Sequence, residues 1–254
     1  MPSDDILTLA PPTADERVPY GSDPKQFGDL RLPKGNGPHP VVMNIHGGFW
    51  RNKYDLVHAG HLCAALTAKG IASWNLEYRR VGDDGGGWPG TFSDIVAGYR
   101  FIPQLPARFH IDPGRLVVMG HSAGGHLALC LAGHKPVTNV VSLAGVVDLQ
   151  KAWDLHLSNN AVAEFLGGPP DQVPEHYHEA DPTRLNIKGD QWLFHGLDDD
   201  VVPPALSREY YERKKQQKEN VHLAEIPKAG HFELIDPRSA AWPEIERTVL
   251  RLLK

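Results

Sequence analysis

Short apolar runs alternate with amphipathic stretches over most of the chain. Residues 41–45 (Val-Val-Met-Asn-Ile) and 116–119 (Leu-Val-Val-Met) are near-continuous apolar runs of strand length, as inner strands buried on both faces require. Residues 71–78, 137–144 and 191–196 read the same way, and residues 221–226 alternate as a last strand does. Between them the period changes. Leu62, Ala65 and Leu66 mark a helix over 58–69, which Gly70 ends, and Ile95, Tyr99 and Ile102 mark another over 91–109, broken or kinked near its end by Pro103 and Pro106. Further helices are expected over 123–133, 205–218 and 244–254. This rhythm predicts an α/β fold, with a mostly parallel central sheet and helices on both faces. No segment repeats with the period of a solenoid.

The rhythm fails in two places. Residues 1–25 are polar and broken by proline. They are expected to form an extended arm with one short strand near 6–9, ahead of an edge strand over 26–32 and a catalytic domain over 26–254. Residues 150–190 carry Trp153, Leu155, Leu157, Phe165 and Leu166 among several prolines, and are expected to form a small helical cap over the site. Residues 83–90 (Asp-Asp-Gly-Gly-Gly-Trp-Pro-Gly) form a flexible loop.

A chain of 254 residues with 41% hydrophobic content suits one domain with a large core. The net charge of −5 gives no footprint for nucleic acid or an anionic membrane, so neither is expected as a partner. No apolar run approaches the ~20 residues of a membrane span, and the N-terminus lacks the pattern of a signal peptide. Cys63 and Cys130 fall in separate predicted helices and read as small buried apolar residues, consistent with a cytoplasmic protein. No Cys/His spacing typical of zinc occurs, and neither a metal nor a cofactor is expected. A small ester or amide is the expected partner; a homodimer is left open.

The chemistry concentrates after three of the predicted strands. Gly120-His121-Ser122-Ala123-Gly124 follows residues 116–119 and leads into a helix, the strand–turn–helix setting in which G-x-S-x-G presents a nucleophilic serine. Two glycines in His46-Gly47-Gly48-Phe49-Trp50 directly follow residues 41–45. There Gly47 shapes the turn, while the N–H groups of Gly48 and Phe49, with that of Ala123, are candidate oxyanion donors. Ala229-Gly230-His231 follows the last strand, and Asp198-Asp199-Asp200 follows residues 191–196. Strand ends gather at one edge of an open α/β sheet, so Ser122, an aspartate near 199 and His231 converge there as nucleophile, orienting acid and general base. Asp198, Asp199 and Asp200 stay open on residue chemistry alone, with Asp148 an outside candidate. Trp50, Trp88 and His121 are candidate pocket residues. His46 is expected to anchor its loop, and His121 and His126 to support the elbow.

On these motifs the chain resembles an α/β-hydrolase of the esterase/lipase and prolyl-oligopeptidase-like group over residues 25–254. His46-Gly47-Gly48-Phe49-Trp50 resembles the His-Gly-Gly-x-Trp motif of kynurenine formamidases (arylformamidases) and small feruloyl-esterase-like enzymes. The resemblance implies a serine hydrolase of short-chain esters or aryl formamides, with Ser122, Asp199 and His231 as triad. The family spacing His-Gly-x-x-Asp-x-Val-Val-Pro singles out Asp199. A small acylaminoacyl peptidase is the enzyme alternative, and a ligand-binding module without catalysis the other.

Overall fold

The computed structural model describes residues 3–254. An eight-stranded sheet runs through it in the order β1-β2-β4-β3-β5-β6-β7-β8. The strands are β1 (Glu16–Pro19), β2 (Phe27–Arg31), β3 (His39–Ile45), β4 (Ala72–Leu76), β5 (Ile111–His121), β6 (Asn139–Leu143), β7 (Asp190–Gly196) and β8 (Val221–Ile226). Only the pairings β1–β2 and β2–β4 are antiparallel; every other neighbour pair is parallel. The helices are α1 (Gly60–Ala68), α2 (Gly90–Phe101), α3 (Ala123–His134), α4 (Leu149–Asp154), α5 (Ala161–Leu166), α6 (Pro174–Ala180), α7 (Ala205–Gln216) and α8 (Trp242–Leu252).

The apolar runs of the inner strands serve both faces, because successive side chains point to opposite sides. Val41, Met43, Ile45 and Val118 join one layer with Ile95 of α2, Leu127 of α3 and Tyr210 of α7. Val42, Val117 and Met119 join the opposite layer with Leu62 and Leu66 of α1 and Ile245 and Val249 of α8. Helices on both faces are thus required to keep these strands from water. The second predicted helix gives way at Ile102 to a 3₁₀ turn (Ile102–Ala107) that contains Pro103 and Pro106, in keeping with the lost N–H groups.

Two expectations near the N-terminus are corrected. Residues 6–9 do not form a strand: Ser3–Leu7 is a 3₁₀ turn, with Ile6 buried beside Leu234 and Ile235. This turn packs on the 3₁₀ turn Phe232–Ile235, and among the described residues it pairs with no strand. Strand β2 is not an edge strand. Residues 16–19, assigned to the arm, pair with it as β1, with Arg17 opposite Asp29 and bonded to it at 2.8 Å. Only Val18 of this strand is buried, so a hydrophobic pattern has almost nothing to register there.

Between β6 and β7 lie the three short helices α4, α5 and α6. Phe165 and Leu166 of α5 and Tyr177 of α6 are buried in the same apolar layer as α2 and α3.

Candidate active site

Ser122 sits between β5 and α3 with φ 56° and ψ −122°, a region that L-residues rarely occupy. The turn is pinned on both sides: the Ser122 N–H donates to the Leu143 carbonyl at 2.8 Å, and its own carbonyl accepts from His126 N at 3.1 Å. The flanking glycines are required. A Cβ at Gly124 would run into the Ile45 carbonyl, and one at Gly120 into the Gly124 carbonyl.

Ser122 and His231 line one cavity of about 300 Å³, together with Leu7, Gly48, Phe49, Tyr54, His58, His121, Val201 and Phe232. His231 Nδ1 donates to Asp199 Oδ2 at 2.7 Å. The same oxygen lies 3.2 Å from His195 Nε2. Asp199 Oδ1 accepts from Val201 N at 2.9 Å and Val202 N at 2.8 Å. Burial works to raise the Asp199 carboxyl, but the hydrogen bonds from His195 and His231, with the charge of His231, hold it well below the usual carboxylate range. Asp198 and Asp200 are exposed, and Asp148 caps α4 by accepting from Lys151 N at 2.8 Å. Of the four aspartates left open by residue chemistry, the structure brings only Asp199 to His231.

His195 supports this turn from below. Its Nε2 faces the Val202 carbonyl at 2.8 Å, so that nitrogen carries the proton, and its Nδ1 accepts from the Ser207 hydroxyl at 2.6 Å.

The loop after β3 carries a run of positive φ: 114° at Gly48, 49° at Phe49 and 59° at Trp50. Among the described residues, the N–H groups of Gly48, Phe49 and Ala123 have no protein acceptor. A Cβ at Gly47 would lie 3.0 Å from the Ser122 Cβ, so this loop passes directly over the serine. His46 anchors it from within the core. Both its ring nitrogens face acceptors, Nδ1 the Gly47 carbonyl at 2.8 Å and Nε2 the Glu77 carboxylate at 3.1 Å. The Tyr78 hydroxyl donates to the His46 carbonyl at 2.7 Å, and the two rings stack. Burial raises the Glu77 carboxyl, but His46 and Arg80 outweigh it and lower it to about 2.

The pocket walls differ from expectation. Trp50 does not line the cavity: it is fully buried, stacks on Phe165 at 4.7 Å between centroids and donates through Nε1 to His126 Nδ1 at 3.2 Å. The left-handed backbone at Phe49 and Trp50 turns the indole into the core. Trp88 also lies elsewhere, stacked on Phe92 and edge-on to Phe165. Among the described residues, none of α4–α6 is among those that line the cavity. His121 does line it. Its Nε2 donates to the His231 carbonyl at 3.0 Å and its ring lies 4.5 Å from that of His231. Burial and the neighbouring His231 and His58 push His121 well below the usual histidine range, so it is neutral. Leu7, Tyr54, His58 and Phe232 carried no motif in the sequence; Val201 falls in the His-Gly-x-x-Asp-x-Val-Val-Pro spacing, and Phe232 had only its adjacency to His231 as a signal.

The sequence profile of the BD-FAE family matches residues 29–213, more than half of the chain. The chain belongs to the BD-FAE family. This BD-FAE protein is 28% identical over 245 residues to Esterase LipC of Mycobacterium tuberculosis, covering 87% of this chain and 60% of LipC. It is 32% identical over 246 residues to the probable isoprenylcysteine alpha-carbonyl methylesterase ICMEL2 of Arabidopsis thaliana, covering 85% of this chain and 57% of that protein. The BD-FAE chain therefore spans under two thirds of either relative. In three dimensions it superposes on Esterase B from Lactobacillus rhamnosis with a TM-score of 0.82 at 19% identity, covering 99% of this chain and 89% of that one. The BD-FAE chain has the α/β-hydrolase fold. No helix among the described residues is long and apolar enough to cross a membrane.

Proposed function

We propose that this chain is a serine hydrolase that cleaves short-chain carboxylic esters or aryl formamides through an acyl-enzyme intermediate. The observation that carries the proposal is a shared cavity: Ser122 and His231 both face it, and Asp199 holds His231 Nδ1 at 2.7 Å. A proton on Nδ1 leaves Nε2 with its lone pair, the form needed to take the hydroxyl proton of Ser122. The serine oxygen then bonds to the substrate carbonyl carbon, and the carbonyl oxygen becomes an oxyanion. The free N–H groups of Gly48, Phe49 and Ala123 are the donors assigned to that charge. His231 returns the proton to the leaving oxygen or nitrogen as the carbonyl–heteroatom bond breaks. Water then attacks the acyl-enzyme as His231 takes its proton; the bond between the Ser122 oxygen and the carbonyl carbon breaks, His231 returns the proton to Ser122, and the acid leaves.

The volume supports small acyl groups, since 300 Å³ stands at the lower end for ligand pockets. The rings of Phe49, Tyr54 and Phe232 support flat aromatic leaving groups. Arylformamides combine the smallest acyl group with such a ring, and names of esterases among the relatives favour the ester. Two free, buried cysteines agree with a cytoplasmic setting. The test is twofold. A fluorophosphonate probe should label Ser122 in the wild type and fail with Ser122→Ala. A panel of p-nitrophenyl esters, N-formylkynurenine and acylaminoacyl anilides should show turnover of the first two classes. Lack of labelling, or turnover of anilides alone, would refute the proposal.

A further inference from the structure

The cavity is closed on one side by a residue far from every motif. Leu7 belongs to the turn Ser3–Leu7, which packs on the turn Phe232–Ile235 that begins one residue after His231. Adjacent side chains of this N-terminal turn do opposite things. Ile6 is 1% exposed, buried with Leu234 and Ile235, whereas Leu7 is half-buried and lines the cavity beside Phe232. The following chain is tied down. Arg31 Nη2 donates to the Pro12 carbonyl at 2.8 Å, and the Asp15 carboxylate accepts from Leu32 N at 2.7 Å. These bonds fix the chain that leaves the turn carrying Leu7.

The side of the cavity that Leu7 bounds follows from proton transfer. The leaving oxygen takes its proton from His231, so the alcohol part of an ester lies toward His231 and not toward the acyl side. Val201 donates its N–H to Asp199 and Phe232 follows His231 in the chain; Leu7, which lines the same cavity, stands on the turn packed against Phe232–Ile235. We propose that Leu7, held by the N-terminal turn, determines specificity by limiting the alcohol part to small or flat apolar groups. The proposal rests on the hydrolase reading above.

The experiment measures kcat/KM for ethyl, hexyl and cyclohexyl acetates, and for p-nitrophenyl acetate and octanoate, with wild type, Leu7→Ala and Leu7→Phe. One methylene in an apolar pocket is worth about 10-fold or more in discrimination. Leu7→Ala should therefore raise the cyclohexyl-to-ethyl ratio roughly tenfold, and Leu7→Phe should lower it. The octanoate-to-acetate ratio should move less than about twofold, because the acyl group lies at the other end. Leu7→Phe keeps an apolar side chain on the turn, so the outcome does not depend on Leu7→Ala folding. An alcohol ratio that stays fixed in an active enzyme, or a shift in the acyl ratio instead, overturns the role of Leu7 and leaves the hydrolase reading intact. A folded wild type that turns over none of these esters overturns both.

Discussion

Replacing Asp199 by asparagine tests the site at its most constrained point. The carboxylate is held by four donors: Val201 N and Val202 N on one oxygen, His231 Nδ1 and His195 Nε2 on the other. An amide offers one oxygen and one NH₂ group in the same space. If its oxygen stays with the backbone pair, the NH₂ group faces His231 and forces Nδ1 to become an acceptor. The proton then moves to Nε2, where it blocks removal of the Ser122 proton. If the amide flips, two backbone N–H groups lose their acceptor, at about 1–3 kcal/mol each. The first arrangement wins, and with it the wrong tautomer. Loss of the triad acid in this way costs about 10⁴ in kcat, or roughly 5.5 kcal/mol of barrier. Asp200→Asn changes an exposed side chain and should stay within about threefold of wild type. The assay is kcat for p-nitrophenyl acetate in both variants, with circular dichroism to verify folding. A folded Asp199→Asn enzyme within tenfold of wild type, or a larger loss in Asp200→Asn, would refute the tautomer argument.

Other expectations follow from the same geometry. Ser122→Ala should abolish ester turnover and leave the thermal midpoint near that of wild type; residual activity above a few per cent would remove Ser122 from the mechanism. Trp50→Ala should act on stability, costing about 3–5 kcal/mol as deletions of buried aromatics do, measured by urea denaturation; a stable variant with altered aromatic selectivity alone would return Trp50 to the pocket. Acid should unfold the protein through its buried neutral histidines. Burial lowers His58 to about 3 and His126 to about 4, and holds His121 well below its usual range. As pH falls below about 6.5 the unfolded chain therefore binds the extra protons, and stability drops toward pH 4 by roughly 1.4 kcal/mol per pH unit for each histidine. Below about 4.5, Glu77 adds a loss of the same sign, because its folded value of about 2 lies under the unfolded one. Denaturation midpoints at pH 7, 6 and 5 that do not fall would refute this.

The inner strands were legible because their apolar runs must be buried on both faces, and no other element of that length satisfies Val41–Ile45 or Leu116–Met119. Ser122 was legible because glycine at 120 and 124 answers a local crowding that the motif itself encodes. Strand β1 was not, since one buried valine among four residues leaves no pattern. Trp50 misled for a different reason. Its place in the chain puts it next to the oxyanion loop, but its direction depends on positive φ at Phe49 and Trp50, residues whose type does not announce it. Leu7, Tyr54 and His58 meet Ser122 only through tertiary packing, so no local pattern could have joined them.

The anchoring of Trp50 has a consequence for how this scaffold can diversify. The indole locks the donor-bearing loop to α3 through His126, which in turn reaches the Ala180 carbonyl at 2.9 Å, and to α5 through Phe165. Substitutions in that chain disturb the reacting centre and the core together. Leu7, by contrast, is carried by a short turn that Ile6 and its packing on Phe232–Ile235 hold in place. Sequence drift, or a combinatorial library confined to residues 5–9, can therefore explore new specificities there at little risk to the chemistry. Evolvability in this chain is concentrated in the segment with the fewest recognisable features.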